Sequence, residues 1–533
     1  MEGSVVSKKR IVDFFLKNNI LVSSDAVASM KEEDLGVIKE LITNKIKSDT
    51  FLLLSKDING LLKKLDAVDI NWFDLEKAKT TLEKGKDGKV YQKFIDYLEK
   101  GEGKKPAIAK EGSEQYPVKV LFSYEQESKK RDVQDFIQFF NARYKAIEKI
   151  LRSRQELQNI TSINRIINKK ERGTVSLIGM VGDKKTTKND NLVLTIEDPT
   201  GAIKVLVNKN KPELYKEAKE IALDEVIAVV GTNGENIVFA NTILWPDIAE
   251  KELNKSDDEA YALFLSDLHV GSNNFLSEDF NRFIKWINGE VGSEQQKNIA
   301  KNVRYIFIIG DLVDGCGIYP EQDKELLIDD VYRQYEECAR LLKQIPSSIK
   351  LIICPGNHDA MRIAEPQPAL YRDFAKSIYE LTNTILVSNP ALVNIHSSKT
   401  NKGFDVLMYH GYSFDYFVAN VDAIRSKGGY NRADLIMKFL LQRRHLAPTH
   451  TSTLYIPDAN KDPLVIEKAP DFFVTGHIHR SIAANYKNIT MICGSCWQSK
   501  TTFQEKVGHV PEPSRVPLVN LKTREIKILK FGK

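Results

Sequence analysis

YALFLSDLHVG, residues 261–271, sets the plan of this chain: an apolar run that ends on Asp267 and His269, just before a glycine. Four more stretches repeat it, namely RYIFIIGDLVDG (304–315), LIICPGNHD (351–359), FDVLMYHG (404–411) and DFFVTGHIHR (471–480). A short apolar run with a polar tip reads as a buried β-strand that delivers side chains into a loop at its carboxyl end. The tips supply Asp267, His269, Asp311, Asp314, Asn357, His358, Asp359, His410, His477 and His479 to one predicted cluster.

Oxygen and nitrogen donors without a nearby cysteine pair suit divalent ions such as Mn²⁺, Fe²⁺ or Zn²⁺ better than a thiolate zinc site. In Asp267-Leu268-His269 and His477-Ile478-His479 the two donors are two residues apart. On an extended strand such residues point the same way, so both members of a pair can face one site. A carboxylate shared by two ions would set them about 3.5 to 4 Å apart, the spacing of two-metal phosphoryl-transfer sites.

A chain of 533 residues suggests about three or four domains, and 42% hydrophobic residues is enough for real cores. Lys plus Arg number 77 against 72 for Asp plus Glu, a formal charge of +5, so contact with an anionic polymer has to come from local clustering. No apolar run is long enough to span a membrane, and the N-terminal residues alternate charge with short apolar pieces, unlike a signal segment. Five cysteines are too few and too irregular for a disulfide framework, and Cys493 and Cys496, although a CxxC, read as buried packing residues. The expectation is a cytoplasmic chain with reduced thiols.

The predicted class is multidomain α+β. Residues 1–50 pattern as a small helical unit, with Ile11, Phe14, Phe15, Ile20 and Leu21 at helical spacing, suited to docking a partner protein or packing as an appendage. Residues 51–130 are rich in lysine, glutamate and glycine and read as a charged, largely flexible linker. Residues 131–170 form a helical lead-in, with Val133, Phe136, Ile137, Phe140, Ile147 and Ile150 in a 3.6 period. Over 171–250 the pattern changes to about five strands, with a helix between the third and fourth, matching a small closed barrel of the oligonucleotide-binding type. Its few rings, Phe239 and Trp245, favour a spacer or protein-contact role over direct binding of nucleic acid. Residues 255–533 alternate strands with helices, among them 279–287 and 325–342, as a layered sheet domain does.

The ordered set Asp267-x-His269, Gly310-Asp311-x-x-Asp314-Gly315, Gly356-Asn357-His358-Asp359, His410 and Gly476-His477-x-His479 resembles the calcineurin-like metallophosphoesterase superfamily. Within it, ALFLSDLHVGSNNF, FIIGDLVDGCGIYP, NHDAMR, RRHLAP and GHVPEPSRVPLVNL, preceded by the barrel, resemble the small subunits of archaeal family D DNA polymerases. The resemblance covers residues 172–533 and extends to the helical N-terminal unit, while residues 51–130 carry no specific motif. It implies that Asp267, His269, Asp311 and His479 hold one ion and that Asp311, Asn357, His410 and His477 hold the other, with Asp311 as the bridge and Mn²⁺ as the first choice of metal. It also implies catalytic roles for His358, at the scissile phosphate and leaving oxygen, and for Asp359, orienting the His358 ring. Asp314 would shape the loop, while Arg362 and Arg480 are candidate phosphate contacts. The implied activity is 3′-to-5′ exonuclease proofreading. The implied partners are a large catalytic subunit, DNA with a 3′ end, and a sliding clamp or primase. The same motifs also fit a stand-alone phosphodiesterase or phosphatase, and the architecture alone fits a non-catalytic assembly scaffold.

Overall fold

The computed structural model describes Ile20–Val22, Leu52–Leu54 and residues 117–532 apart from 126–128, 399 and 507–508. In the N-terminal unit, Ile20–Val22 (β1) pairs in parallel with Leu52–Leu54 (β2). The helical spacing through Ile20 and Leu21 is therefore broken by a strand, in keeping with the β-branched residues of that short run. The rest of the helical reading of 1–50, and the linker reading up to residue 116, lie outside the described residues.

Residues 114–533 form a second unit. It begins with a correction to the linker, because Lys119–Ser123 (β3) is a strand paired antiparallel with Ala391–Ile395. With only Val120, Leu121 and Phe122 apolar, this strand is easily hidden by the charged composition around it. The helix Val133–Arg152 follows, opened by a capping box in which Asp132 and Asp135 satisfy each other's backbone N–H. It buries Phe139, Arg143, Tyr144, Ile147 and Leu151, an i, i+4 stripe, and leaves Val133, Phe136 and Ile137 exposed. The predicted face was thus rotated, since an inward arginine carries no apolar signal. A separate short helix, Ile163–Ile167, completes the lead-in.

The strands Thr174–Thr186 (β4), Leu192–Asp198 (β5), Gly201–Val207 (β6), Val226–Gly234 (β7) and Ile237–Leu244 (β8) close into a barrel in the order β4-β5-β6-β8-β7. The helix Pro212–Lys219 sits between the third and fourth strands. Inward residues such as Leu177, Leu194, Ile196, Val205 and Val229 form the barrel core.

Two six-stranded sheets make up the rest. The first contains Tyr261–Leu265 (β9), Val303–Ile309 (β10), Lys350–Cys354 (β11) and Thr384–Leu386 (β12); the second contains Ala391–Ile395 (β13), Phe404–Met408 (β14), Phe472–Thr475 (β15), Ile482–Tyr486 (β16) and Ile489–Cys493 (β17). Arg515–Asn520 (β18) and Ile526–Lys530 (β19) return to the first sheet, giving the orders β12-β11-β10-β9-β18-β19 and β16-β17-β15-β14-β13-β3. The C-terminal extension therefore supplies an interior strand as well as an edge. Alternation explains why the runs are apolar throughout. Ala262 and Phe264 face the core between the sheets with Phe307, Val406 and Phe472, whereas Leu263 and Leu265 face the helices on the outer side. Helices cover both outer faces, and the helix predicted over 325–342 begins only at Val331, where Asp330 accepts the Arg333 N–H as its cap.

Buried ion pairs join the parts. Arg143 Nε meets Asp462 at 2.6 Å, which also takes His445 Nε2 at 2.8 Å, and Arg443 Nε meets Glu225 of the barrel at 2.9 Å.

Candidate metal centre

Strands β9, β10 and β11 run parallel, as do β14 and β15 in the other sheet, so five carboxyl ends open at one place. The residues just beyond them leave the extended conformation. Asp267, His269, Asp311, His477 and His479 all have positive φ, at 52°, 52°, 51°, 70° and 54°. The paired donors converge through this left-handed backbone, not by the strand alternation expected from the sequence. Non-glycine residues there are strained by about 1–3 kcal/mol each, a cost that clusters at functional sites.

The side chains meet in a continuous cluster. His269 Nε2 lies 3.1 Å from His479 Nε2, which is 3.4 Å from Asp267 Oδ1. Asp311 Oδ2 lies 3.9 Å from His269 Nε2 and 3.3 Å from His410 Nε2. Asn357 Oδ1 sits between His410 Nε2 at 2.9 Å and His477 Nδ1 at 3.0 Å. Two donors that share an ion at about 2.1 Å lie about 3.0 Å apart when at right angles and about 4.2 Å apart when opposite. The cluster spacings match that window, and the donor atoms are of the kinds that could hold divalent ions. Asp267, His269 and His479 make one ligating group, and Asp311 joins groups with both His358 and His410.

Hydrogen bonds fix the rings. His410 Nδ1 donates to the Ile309 carbonyl at 2.9 Å, leaving Nε2 for the cluster. His269 Nδ1 lies 3.1 Å from Asp314 Oδ1, and Asp314 is pinned in turn by the amides of Gln498 and Gln322, each at 2.9 Å. Asp314 therefore orients a donor, as a carboxylate behind a ligating histidine does. His479 Nδ1 lies 2.9 Å from the side-chain amide of Gln504. His477 Nε2 lies 3.0 Å from Asp415 Oδ2.

The charges are interdependent. Burial opposes ionisation of Asp311, but His410, His358 and His269 outweigh it and hold the carboxyl well below its usual range. Asp267 is lowered in the same way, burial being overcome by His479 and His410. Burial works against a charged His410, yet Asp311 and Asp267 raise it to about 10. His269 goes the other way, lowered by burial that Asp314 only partly offsets.

The remaining sequence candidates divide. His358 belongs to the cluster: its backbone N–H donates to Asp311 Oδ1 at 2.7 Å, and its Nδ1 donates to the Asp314 carbonyl at 2.8 Å. That bond corrects the role given to Asp359, which does not orient the His358 ring. Asp359 instead accepts from Gly356 N at 2.9 Å and from the Tyr335 hydroxyl at 3.0 Å, bracing the loop that carries Asn357. Arg362 turns to the Pro366 carbonyl at 2.6 Å and lies over the Tyr124 ring, and Arg480 is engaged by Asn431 and Glu512. Sequence reasoning missed Asp415, Gln322, Gln498 and Gln504. Of these only Asp415, five residues after His410, carried a usable sign, a carboxylate close to a tip histidine.

Known proteins bear on this site. The B-subunit family of DNA polymerases alpha and epsilon matches residues 262–484, from β9 through β16, a range that holds every donor of the cluster. The DNA polymerase II small subunit of Methanothermobacter thermautotrophicus is 40% identical over 404 residues, covering 75% of this chain and 80% of that one. This chain belongs to the DNA polymerase II small-subunit family. The family member from Pyrococcus furiosus is 37% identical over 75% of this chain and 64% of its own length. Among solved structures, an archaeal phosphodiesterase aligns with 50% of this chain and 98% of its own at 12% identity, with a TM-score of 0.25. No described helix of this polymerase small subunit is long and apolar enough to cross a membrane.

Proposed function

We propose that this small subunit carries a 3′-to-5′ exonuclease that removes misincorporated nucleotides for a large subunit that adds them. The observation that supports it most is the cluster itself: two histidine and carboxylate groupings that meet on Asp311 at ligand spacing. In this reading Asp267, His269, Asp311 and His479 hold one divalent ion, and Asp311, Asn357, His410 and His477 hold the other, with Mn²⁺ preferred to Fe²⁺ or Zn²⁺. When bound, the pair supplies Lewis acidity to the phosphodiester and makes water a better nucleophile at neutral pH. Asp311 is suited to bridging because its low proton affinity keeps the carboxylate charged.

His358 is the proton-handling residue. With its Nδ1–H given to the Asp314 carbonyl, Nε2 is the ring atom that can carry a mobile proton. A P–O bond to water forms, the P–O3′ bond breaks, and His358 delivers a proton to the departing 3′ oxygen. The products are a nucleoside 5′-monophosphate and a DNA chain one nucleotide shorter. The barrel, of the oligonucleotide-binding type in this reading, stands beside the catalytic sheets as a spacer or protein contact.

The test is digestion of a 5′-labelled primer-template bearing a 3′ mismatch, with Mn²⁺, by the wild type and by His358→Ala and Asp311→Asn. Stepwise shortening from the 3′ end, reduced about a hundred-fold or more by either substitution, is expected. A metal-loaded wild type that leaves the primer intact with the large subunit present, but cleaves an aryl phosphodiester, would move the assignment to a phosphodiesterase of another substrate.

A further inference from the structure

Of the four histidines assigned as ion donors, three are oriented from inside the protein, and His477 is the exception. His410 is fixed by a backbone carbonyl, His269 by the buried Asp314, and His479 by Gln504. His477 Nε2 instead meets Asp415 Oδ2 at 3.0 Å, and the Asp415 side chain is 49% exposed. Asp415 lies in the helix Phe414–Asn420, directly after the β14 tip that carries His410.

A neutral imidazole has one N–H. With that hydrogen on Nε2 and given to Asp415, Nδ1 keeps its lone pair and faces Asn357 Oδ1, the other donor of that half of the cluster. The Tyr430 hydroxyl bonds to the same carboxylate, and the Tyr430 ring packs against His509 with centroids 4.0 Å apart. Tyr412 meets the His477 ring from another side at 5.8 Å. A ring, a carboxylate and two aromatic walls thus form a small assembly at the mouth of the site. None of these outer residues is itself a donor of the cluster.

We propose that Asp415 is the positioning residue of His477: it fixes the Nε2–H tautomer and so sets the affinity for the second of the two divalent ions, with Tyr430 holding Asp415 in place. The inference rests on the two-ion reading given under Proposed function. Partners behind a ligating histidine are worth about ten- to a hundred-fold in metal affinity, and here the effect falls on one half of the cluster only.

The experiment titrates the full chain, stripped with a chelator, with MnCl₂ and reads bound Mn²⁺ and its electron paramagnetic resonance. Wild type is expected to take up two ions and to show a spin-coupled pair. Asp415→Ala should keep the first ion and bind the second about ten- to a hundred-fold more weakly, with isolated-Mn²⁺ signal replacing the coupled one. Asp415→Asn, whose amide oxygen still accepts from Nε2–H, should recover part of the loss, and Tyr430→Phe should show a smaller loss in the same direction. Melting of the metal-free proteins should be unchanged; if Asp415→Ala melts lower, the other two variants carry the comparison. An Asp415→Ala protein that binds both ions with wild-type affinity overturns the assignment. A wild type that loads two ions and digests no DNA removes the exonuclease and leaves the role of Asp415 standing.

Discussion

Glu365 lies wholly inside the protein, and burial acts against its charge. The Tyr409 hydroxyl sits 3.1 Å from Glu365 Oε2 and 3.0 Å from Ser413 Oγ, and Ser413 Oγ donates to the Leu446 carbonyl. The phenolic hydroxyl and the Asn389 side-chain amide, 3.3 Å from Oε1, are donors facing the carboxyl, and they only partly offset the cost of burying it. Burial raises this carboxyl from 4.5 to about 7. Below about 4.5 both folded and unfolded chains hold the proton. Between about 4.5 and 7 only the folded chain does, so stability falls as pH rises, by up to roughly 3 kcal/mol, and is level above. Glu365→Gln keeps an acceptor toward Tyr409 and removes the titration. Urea unfolding of the chelator-treated proteins should show the variant gaining on the wild type across that window, with the gap closed near pH 4. A constant gap would mean that Glu365 is ionised inside the fold. At this scale the sequence was readable for identity and poor for direction. Asp267 and His479 could be picked out as donors, but their left-handed backbone leaves no mark in residue type, and neither does the contact of His358 with a carbonyl instead of with Asp359.

The elements that present the donors are strand ends with glycines between them, and two of those glycines are there for want of space. A β-carbon on Gly356 would lie 2.2 Å from Asp311 Oδ1 and 2.8 Å from His410 Cε1, and one on Gly310, at φ +77°, would lie 2.4 Å from His410 Nδ1. Gly356→Ala should therefore push Asp311 and His410 apart. Overpacking of this kind costs about 1–3 kcal/mol, so the protein should still fold while Mn²⁺ binding weakens for both ions, as equilibrium dialysis would show. Unchanged binding would mean that the loop relaxes freely. Strands were legible because each run is apolar on both faces and stops at a polar tip. Helix bounds were less so: Ile328 stands at helical spacing from Val331 and Tyr335, yet Asp330 sets the start by capping, and the inward face of Val133–Arg152 is written around Arg143.

Across the whole molecule, the barrel and the layered sheets stood out as changes of period, from 3.6 to 2 and then to alternation of both. Their junction did not. RRHLAP reads as a family motif in the sequence; in the structure Arg443 reaches Glu225, Arg444 reaches the Ile466 carbonyl at 2.6 Å, and His445 shares Asp462 with Arg143. The Arg443–Glu225 and Arg143–Asp462 pairings, 218 and 319 residues apart, have no local signature. Sequence distance also separates the donors, with 53 residues between Asn357 and His410 and 210 between Asp267 and His477: Asp267, His269, Asp311 and Asn357 come from the first sheet, and His410, His477 and His479 from the second. Any ion in that cluster is therefore a cross-link between two sheets whose facing surfaces are apolar. Because such an ion binds the folded chain alone, each site at a hundred times its dissociation constant adds about 2.7 kcal/mol to stability. Removing metal with a chelator should lower the melting temperature by several degrees, and a melting curve indifferent to Mn²⁺ would speak against the site. The cell's supply of divalent metal would then govern how long this protein survives.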